Sequence, residues 1–178
     1  MPRISSMPFS LQVRPGVATD AHALAALAIQ VWLDTYATDG VNDRLGRHVL
    51  DAFAPSGFAA LAQDPDATLL VAQNDAYLVG YALLRFDAAQ PLAQLGNTEL
   101  CTLYVQERFT GAGVGTALLR QARTAVAERT GADALWLAVN TRNRRACGFY
   151  EKHGFSLRGR TWFVLGEDRH ENHVLAVS

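Results

Sequence analysis

The clearest chemical signal in the chain is a set of three alternating glycines, Gly111, Gly113 and Gly115. They follow a β-branched and aromatic run, Glu99 to Val105, and precede a helical pattern that begins at Val114. The first N–H groups of a helix lack partners within it and lie at the positive end of its dipole. Because glycine has no Cβ, a bulky anion can approach such backbone closely. The segment Gly111 to Thr116 therefore predicts a phosphate-binding turn. A tight turn that needs glycine only for its dihedral angles is the alternative.

Two common phosphate-binding motifs fit this segment poorly. A nucleotide P-loop requires Gly-Lys-Ser/Thr, whereas Gly115 is followed directly by Thr116 without a lysine. A dinucleotide-binding motif has the pattern G-x-G-x-x-G and opens the first strand–helix unit of its domain. Here the glycines lie past the middle of the chain. The P-loop is excluded, and dinucleotide binding stays open as the weaker alternative.

The cysteines and histidines give no metal signal. Cys101 and Cys147 are far apart and match no metal or redox spacing, so we expect small buried residues and not nucleophiles. His170 and His173 fall in a predicted turn, and two ligands are too few for a metal site. For His153 we predict a position at a helix end, where a cation suits the dipole.

Composition restricts the class of protein. The chain has 178 residues, of which 49% are hydrophobic and 19% charged, as expected of a soluble globular protein. The formal net charge of −1 offers no basic surplus for nucleic acid, and no apolar run reaches the ~20 residues of a membrane span. The lack of a secretory signal and the two thiols favour the cytoplasm. We predict a disordered tail at 1–9 and a single domain at 10–178.

The hydrophobic pattern predicts a mixed α/β fold of the α+β type. Because the Glu99 strand, the helix after it and the strand near Leu135 form a βαβ unit, those two strands should be parallel, adjacent or one apart. Ligands bind in the crevice at the carboxyl ends of such strands. The predicted strands are 11–14, 68–73, 77–86, 99–105, 135–139, 156–164 and 173–177, the last two around a polar turn at 166–172. Four helical regions are predicted. The first begins after Thr19 or Asp20, the second spans 42–62 with an interruption at Pro55, the third begins at Val114 and ends near Gly131, and the fourth spans 143–153.

Two segments resemble the GNAT superfamily of N-acetyltransferases. Residues 105–119, VQERFTGAGVGTALL, resemble the family's acetyl-CoA motif, Arg/Gln-x-x-Gly-x-Gly/Ala. Residues 143–155, NRRACGFYEKHGF, are similar to its Asn-x-x-Ala-x-x-Phe-Tyr-x-x-x-Gly-Phe helix. In the preferred alignment the Arg/Gln position is Thr110, which departs from the pattern, and Arg108 is a candidate to compensate. The resemblance implies a mixed, mostly antiparallel sheet of about seven strands with helices on both faces.

The same resemblance implies site residues and a reaction. Acetyl-CoA would be the co-substrate, acetyl would pass directly to an amine, no metal would be needed, and a homodimer is compatible with the family. Tyr150 would be the general acid and Glu99 the general base, although Glu99 could equally be a polar residue at an exposed strand start. The implied coenzyme-binding residues are Leu103, Tyr104, Val105, Thr110, Gly111, Ala112, Gly113, Val114, Gly115, Thr116 and Asn143. Arg142, Arg144 and Arg145 could meet the 3′-phosphate, or could belong to a solvated helix start.

The acceptor is less closely defined by the sequence. The resemblance places its pocket at the first two helices and the last hairpin, and so implicates Trp32 and Tyr36, with Asp39, Asp43 and Trp162 as further candidates. Aspartates beside aromatic rings would suit a cationic amine, but such rings also pack helices on sheets. The expected partner is a small-molecule or peptide amine, with no nucleic acid and no membrane. The alternative function is a non-catalytic acyl-CoA-binding regulatory module.

Overall fold

A computed structural model of the protein describes residues 9–177. The predicted disordered tail lies outside the described residues, apart from Phe9, whose ring stacks on Phe109 with centroids 5.9 Å apart. No helix within 9–177 is both long and apolar enough to cross a membrane. The strands are β1 (Leu11–Pro15), β2 (Ala67–Asn74), β3 (Tyr77–Arg85), β4 (Glu99–Val105), β5 (Trp136–Asn140), β6 (Phe155–Leu165) and β7 (Asp168–Val177). The helices are α1 (Ala21–Tyr36), α2 (Asp43–Ala52), α3 (Pro55–Leu61), α4 (Val114–Thr130) and α5 (Arg144–Lys152).

The strands form one seven-stranded sheet in the order β1-β2-β3-β4-β5-β7-β6. Every pairing is antiparallel except that of β4 with β5. Helices α4 and α5 contribute to a core on one face, and α1 and α3 to a core on the other. The predicted fold class is therefore confirmed, with the two strands of the βαβ unit parallel and adjacent.

The parallel pairing of β4 with β5 is very short. The two strands are in register only at Glu99 and Trp136, after which β5 follows β7. Beyond Glu99, the edge of β4 that faces β5 pairs with no strand among residues 9–177. The two strands therefore diverge from Glu99 towards Val105 and leave a wedge-shaped opening between them, which we call the wedge. Helices α4 and α5 begin near its open end.

A β-bulge in β4 corrects one prediction. Leu100 pairs with Leu84 and Thr102 with Leu83, so Cys101 is an extra residue without a partner on β3. Its side chain is exposed, contrary to the prediction of a buried residue, because the bulge removes it from the alternation of the strand. Cys147 is half-buried against the α4–α5 core.

The last hairpin is longer than predicted. The turn predicted at 166–172 is wrong, because β6 continues to Leu165 and β7 begins at Asp168. The polar residues after Asp168 belong to a strand near the sheet edge, where Glu171 pairs with Arg160 at 3.1 Å. His170 therefore lies on a strand and not in a turn. In the second helical region the interruption precedes Pro55, which occupies the first turn of α3, where its missing N–H costs no hydrogen bond.

Candidate active site

The predicted phosphate-binding turn presents free backbone amides at the start of α4. Gly111 and Gly113 have φ of +79° and +84°, which only glycine adopts without strain. Two amides of the turn are occupied, since Thr110 N–H donates to the Glu107 carbonyl at 3.1 Å and Ala112 N–H to the Phe109 carbonyl at 3.4 Å. Five residues of the turn have N–H groups that donate to no other backbone group in the described part of the chain: Gly111, Gly113, Val114, Gly115 and Thr116. We call residues 110–116 the cradle.

The cradle forms one wall of a cleft of about 400 Å³, the inner cleft. The opposite walls come from β4, α5 and the end of α1. Eleven of the predicted site residues line it: Tyr36, Leu103, Tyr104, Val105, Thr110, Gly111, Gly113, Gly115, Thr116, Asn143 and Tyr150. The fold therefore brings most of the predicted coenzyme-binding residues to one surface. Ala112 and Val114 do not line it, and the Val114 side chain is buried in the core.

Tyr150 reaches the inner cleft from the second turn of α5. Its ring packs against Phe149 and Phe155, with centroids 5.3 and 5.6 Å away. Burial, together with the nearby Tyr104 and Tyr36 phenols and the Cys147 thiol, raises the pKa of Tyr150. The phenol therefore keeps its proton at neutral pH and is available as a donor.

Asn143 caps α5 and faces the same cleft. Its side-chain carbonyl accepts a hydrogen bond from the Ala146 N–H at 3.1 Å, which satisfies one of the free amides at the helix start. The NH₂ group of the same side chain can then donate to a ligand. Asn143 and Tyr150 line the cleft together, as their spacing of two helical turns predicts.

Glu99 lies at the closed end of the wedge, beside Trp136. It does not line the inner cleft or either cleft that adjoins it. Burial raises the pKa of this carboxyl group, while the Cys101 thiol and the Arg85 cation oppose the shift. A raised pKa suits a general base, but the position of Glu99 requires that a proton reach it through water.

Two further clefts adjoin the inner cleft and share Tyr36 with it. The basic cleft, of about 580 Å³, is lined by Arg142, Arg144 and Arg145 together with Asp34 and His170. Arg145 also lines the inner cleft, and it pairs with Glu107 through two hydrogen bonds of 2.9 and 2.8 Å. This pair lowers the pKa of Glu107. An arginine from the start of α5 therefore brings positive charge to the inner cleft.

The outer cleft, of about 360 Å³, lies between the α1–α2 connection and the last hairpin. Trp32 and Tyr36 line it with their rings 4.9 Å apart, and Asp39 lines it as well. Asp43 and Trp162 line none of the three clefts. Asp43 pairs with Arg47 at 2.7 Å, and Trp162 is exposed beneath the Arg169 guanidinium.

The structure also adds residues that sequence reasoning missed. His170 lines both the basic and the outer cleft, and Phe163 lines the outer cleft from β6. His170 fell in the segment predicted as a turn, whereas Phe163 lay inside a predicted strand, and the pairing of the two strands was the missing signal. Arg108 lines none of the clefts and lies 5.4 Å from the Phe109 ring centroid, which leaves Arg145 as the better placed cation. Among the described residues no group of three or more metal-ligating side chains occurs.

Comparison with known proteins gives relatives along most of the chain. An uncharacterized N-acetyltransferase of Mycobacterium tuberculosis is 33% identical over 160 residues, which cover 89% of this chain and 97% of the relative. An N-alpha-acetyltransferase of Sulfurisphaera tokodaii is 30% identical over 118 residues, which cover 62% of this chain and 71% of the relative.

Solved structures share the fold at low sequence identity. The PaiA N-acetyltransferase of Thermoplasma acidophilum, determined in complex with coenzyme A, superimposes with a TM-score of 0.75 at 20% identity, covering 95% of this chain and 99% of that one. The model of the Acetyltransferase (GNAT) family matches residues 28–155. The two motifs, the wedge in the sheet and these matches agree, and the chain belongs to the GNAT family of acetyltransferases.

Proposed function

We propose that the protein is an acetyl-CoA-dependent N-acetyltransferase that passes acetyl directly to a primary amine of a small molecule or peptide. The observation that carries this proposal is the inner cleft, in which the free amides of the cradle and the Tyr150 phenol share one surface. A site for a diphosphate and a proton donor for a departing thiolate are the two features that acetyl transfer from a coenzyme A thioester requires.

The chain's own residues would hold acetyl-CoA along the split in the sheet. The cradle amides and the dipole of α4 favour the diphosphate, and Arg145 adds positive charge at the same end. The unpaired edge of β4 can hydrogen-bond the amides of pantetheine in the manner of an added strand. The Asn143 NH₂ group faces the same arm. Acetyl-CoA would supply the activated acyl group.

Tyr150 and Glu99 would handle the protons. The amine nitrogen forms a bond to the carbonyl carbon of the thioester, and the carbon–sulfur bond breaks. A backbone N–H of β4 near Leu103 or Tyr104 polarises the carbonyl oxygen. Tyr150 donates its proton to the sulfur, and the proton of the amine passes through water to Glu99. No acyl-enzyme is required. Although Cys101 reaches solvent, the protein packed around its sulfur and the Glu99 carboxyl group raise its pKa to about 12, so that it is a poor nucleophile at neutral pH.

The acceptor would enter from the outer cleft. The rings of Trp32 and Tyr36 offer apolar walls, and Asp39 offers negative charge to a cationic amine. Tyr36 lines all three clefts and therefore lies where the acceptor and the coenzyme would meet. These features support an amine with an apolar body close to the amino group.

A panel of primary amines, assayed for thiol release from acetyl-CoA, tests the proposal. Wild-type protein should turn over at least one amine, and Tyr150→Phe should lower kcat by about 100-fold, the lower limit typical of a lost general acid. Coenzyme A affinity, measured separately, should stay within about twofold because the phenyl ring keeps its packing. Tyr77→Phe is the matched control, since Tyr77 is 75% exposed on the β2–β3 hairpin.

Two results would contradict the proposal. Turnover unchanged in Tyr150→Phe would remove the general acid from the mechanism. Tight binding of coenzyme A without turnover of any amine would favour a non-catalytic acyl-CoA-binding regulatory module.

A further inference from the structure

His153 connects the end of α5 to the first turn of α4. Its Nδ1 lies 2.7 Å from the Phe149 carbonyl oxygen, and its Nε2 lies 3.3 Å from Thr116 Oγ1. Its ring also packs on the Phe149 ring, with centroids 4.3 Å apart. Both ring nitrogens are therefore engaged, one by backbone and one by a side chain of the cradle.

The first contact fixes the tautomer of the imidazole. A carbonyl oxygen can only accept a hydrogen bond, so Nδ1 carries a proton in the neutral and in the charged ring. In the neutral ring Nε2 is then bare, and the Thr116 hydroxyl must donate to it. In the charged ring Nε2–H donates instead, and the Thr116 hydroxyl accepts.

The direction of this hydrogen bond decides what Thr116 offers the inner cleft. Thr116 lines that cleft beside the free amides of Gly113 and Gly115. A phosphate oxygen only accepts hydrogen bonds, so it competes with neutral His153 for the single hydroxyl proton. When His153 is charged, that proton is free for the phosphate, and a positive charge stands behind the cradle.

We propose that His153 is a positioning residue that sets the donor direction of Thr116, so that protonation of His153 strengthens binding of the coenzyme diphosphate. The inference rests on the proposed function, because it assumes that the cradle holds a diphosphate. By linkage, coenzyme binding should in turn favour proton uptake by His153.

The other charged groups around His153 are of classes that ordinarily keep their charge between pH 5.5 and 8. Arg123 of α4 donates to the His153 carbonyl at 3.0 Å and pairs with Asp133. Glu151 and Lys152 precede His153 on α5, and Arg120 lies one turn after Thr116 on α4. Histidine is the side chain whose charge ordinarily changes in this range.

Calorimetric titration with 3′-dephospho-coenzyme A at pH 5.5 and pH 8.0 tests the inference. This probe keeps the diphosphate and lacks the 3′-monophosphate, which would itself titrate near pH 6. Wild-type protein should bind about two- to tenfold more tightly at pH 5.5, the range that corresponds to one net hydrogen bond. His153→Gln and Thr116→Val should each lose most of this difference. His22→Gln, a change at an exposed position on α1, should keep it.

A ¹⁵N NMR titration of the histidines gives a readout that a merely structural role would not move. Neutral His153 should carry its proton on Nδ1, and saturation with 3′-dephospho-coenzyme A should raise the midpoint of its titration. An Nε2–H tautomer, an unmoved midpoint, or a pH dependence in His153→Gln equal to that of wild type would overturn the inference. Binding without pH dependence would refute this inference alone, whereas wild-type protein that binds no coenzyme would refute the proposed function as well.

Discussion

Tyr150 and Glu99, the two residues proposed to move protons, occupy opposite ends of the wedge. Tyr150 lines the inner cleft at its open end, whereas Glu99 lies where β4 and β5 are still paired. Burial raises the pKa of both groups, which keeps the phenol protonated and makes the carboxylate a stronger base. The acid is therefore in place for direct transfer, and the base depends on a path through water.

The pH dependence of Glu99→Gln tests the base. A carboxyl group must be ionised to accept a proton, so wild-type kcat/KM should fall as the pH drops through the raised pKa of Glu99. Glu99→Gln should lose this acidic limb and about 100-fold in rate. The matched control is Glu128→Gln, because Glu128 is exposed on α4. A variant that keeps both rate and acidic limb would assign the base to another group, and His170, which lines the basic and the outer cleft, is the next candidate.

Sequence patterns predicted the residues of the inner cleft better than those of the acceptor clefts. The cradle lies in a local strand–turn–helix motif, and Asn143 and Tyr150 lie in a local helix motif. Within each motif, the spacing along the sequence fixes which residues share a face. His170 and Phe163 come to the clefts through the pairing of β6 with β7. Phe163 and His170 are direct partners in that hairpin, but the hairpin joins the rest of the sheet only through the long-range pairing of β7 with β5, which no local pattern encodes.

At the level of elements, the cradle and α4 act as one unit. Gly113 is the N-cap of α4 and has a left-handed backbone conformation. A Cβ on Gly115 would lie 3.4 Å from the Phe149 ring. The turn therefore combines the backbone conformation that exposes the amides with close approach of α5. A Cβ at Gly111 or Gly113 would meet no atom of the described residues within 4 Å, so conformation and not space requires glycine there.

Gly113→Ala and Gly46→Ala form a matched pair. A left-handed alanine should cost about 1–2 kcal/mol, so Gly113→Ala should lower the free energy of unfolding and weaken coenzyme A binding. Gly46 lies inside α2 with open space around its Cβ position, so Gly46→Ala should raise the free energy of unfolding by about 0.5–1 kcal/mol. Urea denaturation and calorimetry measure both effects. Equal behaviour of the two variants would contradict the importance of the left-handed turn.

Element boundaries were predictable where residues that break helices and strands mark them. Gly131 ends α4, and Asn42 caps α2 through a bond from the Leu45 N–H at 2.9 Å. The last hairpin was predicted too short because residues 168–172 are polar, a composition typical of a turn. In the folded chain, strand pairing with β6 outweighs that local preference.

For the whole molecule, the sheet couples two cores that meet at the site. The core with α4 and α5 carries the cradle and Tyr150, and α1, which packs in the core on the other face of the sheet, ends at Tyr36 beside the inner cleft. A ligand in the inner cleft would contact both. Coenzyme binding should therefore stabilise the entire domain.

Thermal unfolding with coenzyme A tests this coupling. At about 100 times its Kd, coenzyme A should add about 2.7 kcal/mol to the free energy of unfolding. For a chain of this size that corresponds to a rise in Tm of roughly 5–10 °C. Adenosine, which lacks the diphosphate and the pantetheine arm, should give a much smaller rise. An equal rise with adenosine would contradict binding through the cradle.

The predicted homodimer and cytoplasmic location stay predictions. The described sheet ends in β6, on which Leu157, Trp162 and Val164 are more than half exposed. Exposed apolar residues on an edge strand favour pairing with another chain. Sedimentation equilibrium would measure whether that occurs with a second copy.

A crystal structure with bound coenzyme A would show where the diphosphate and the thiol lie. We expect diphosphate oxygens at hydrogen-bond distance, about 2.7–3.2 Å, from the backbone nitrogens of Gly111, Gly113 and Gly115. We also expect the thiol sulfur within about 4 Å of the Tyr150 hydroxyl, on the unpaired side of β4. A diphosphate bound away from the cradle, or a sulfur out of reach of Tyr150, would contradict the proposed function.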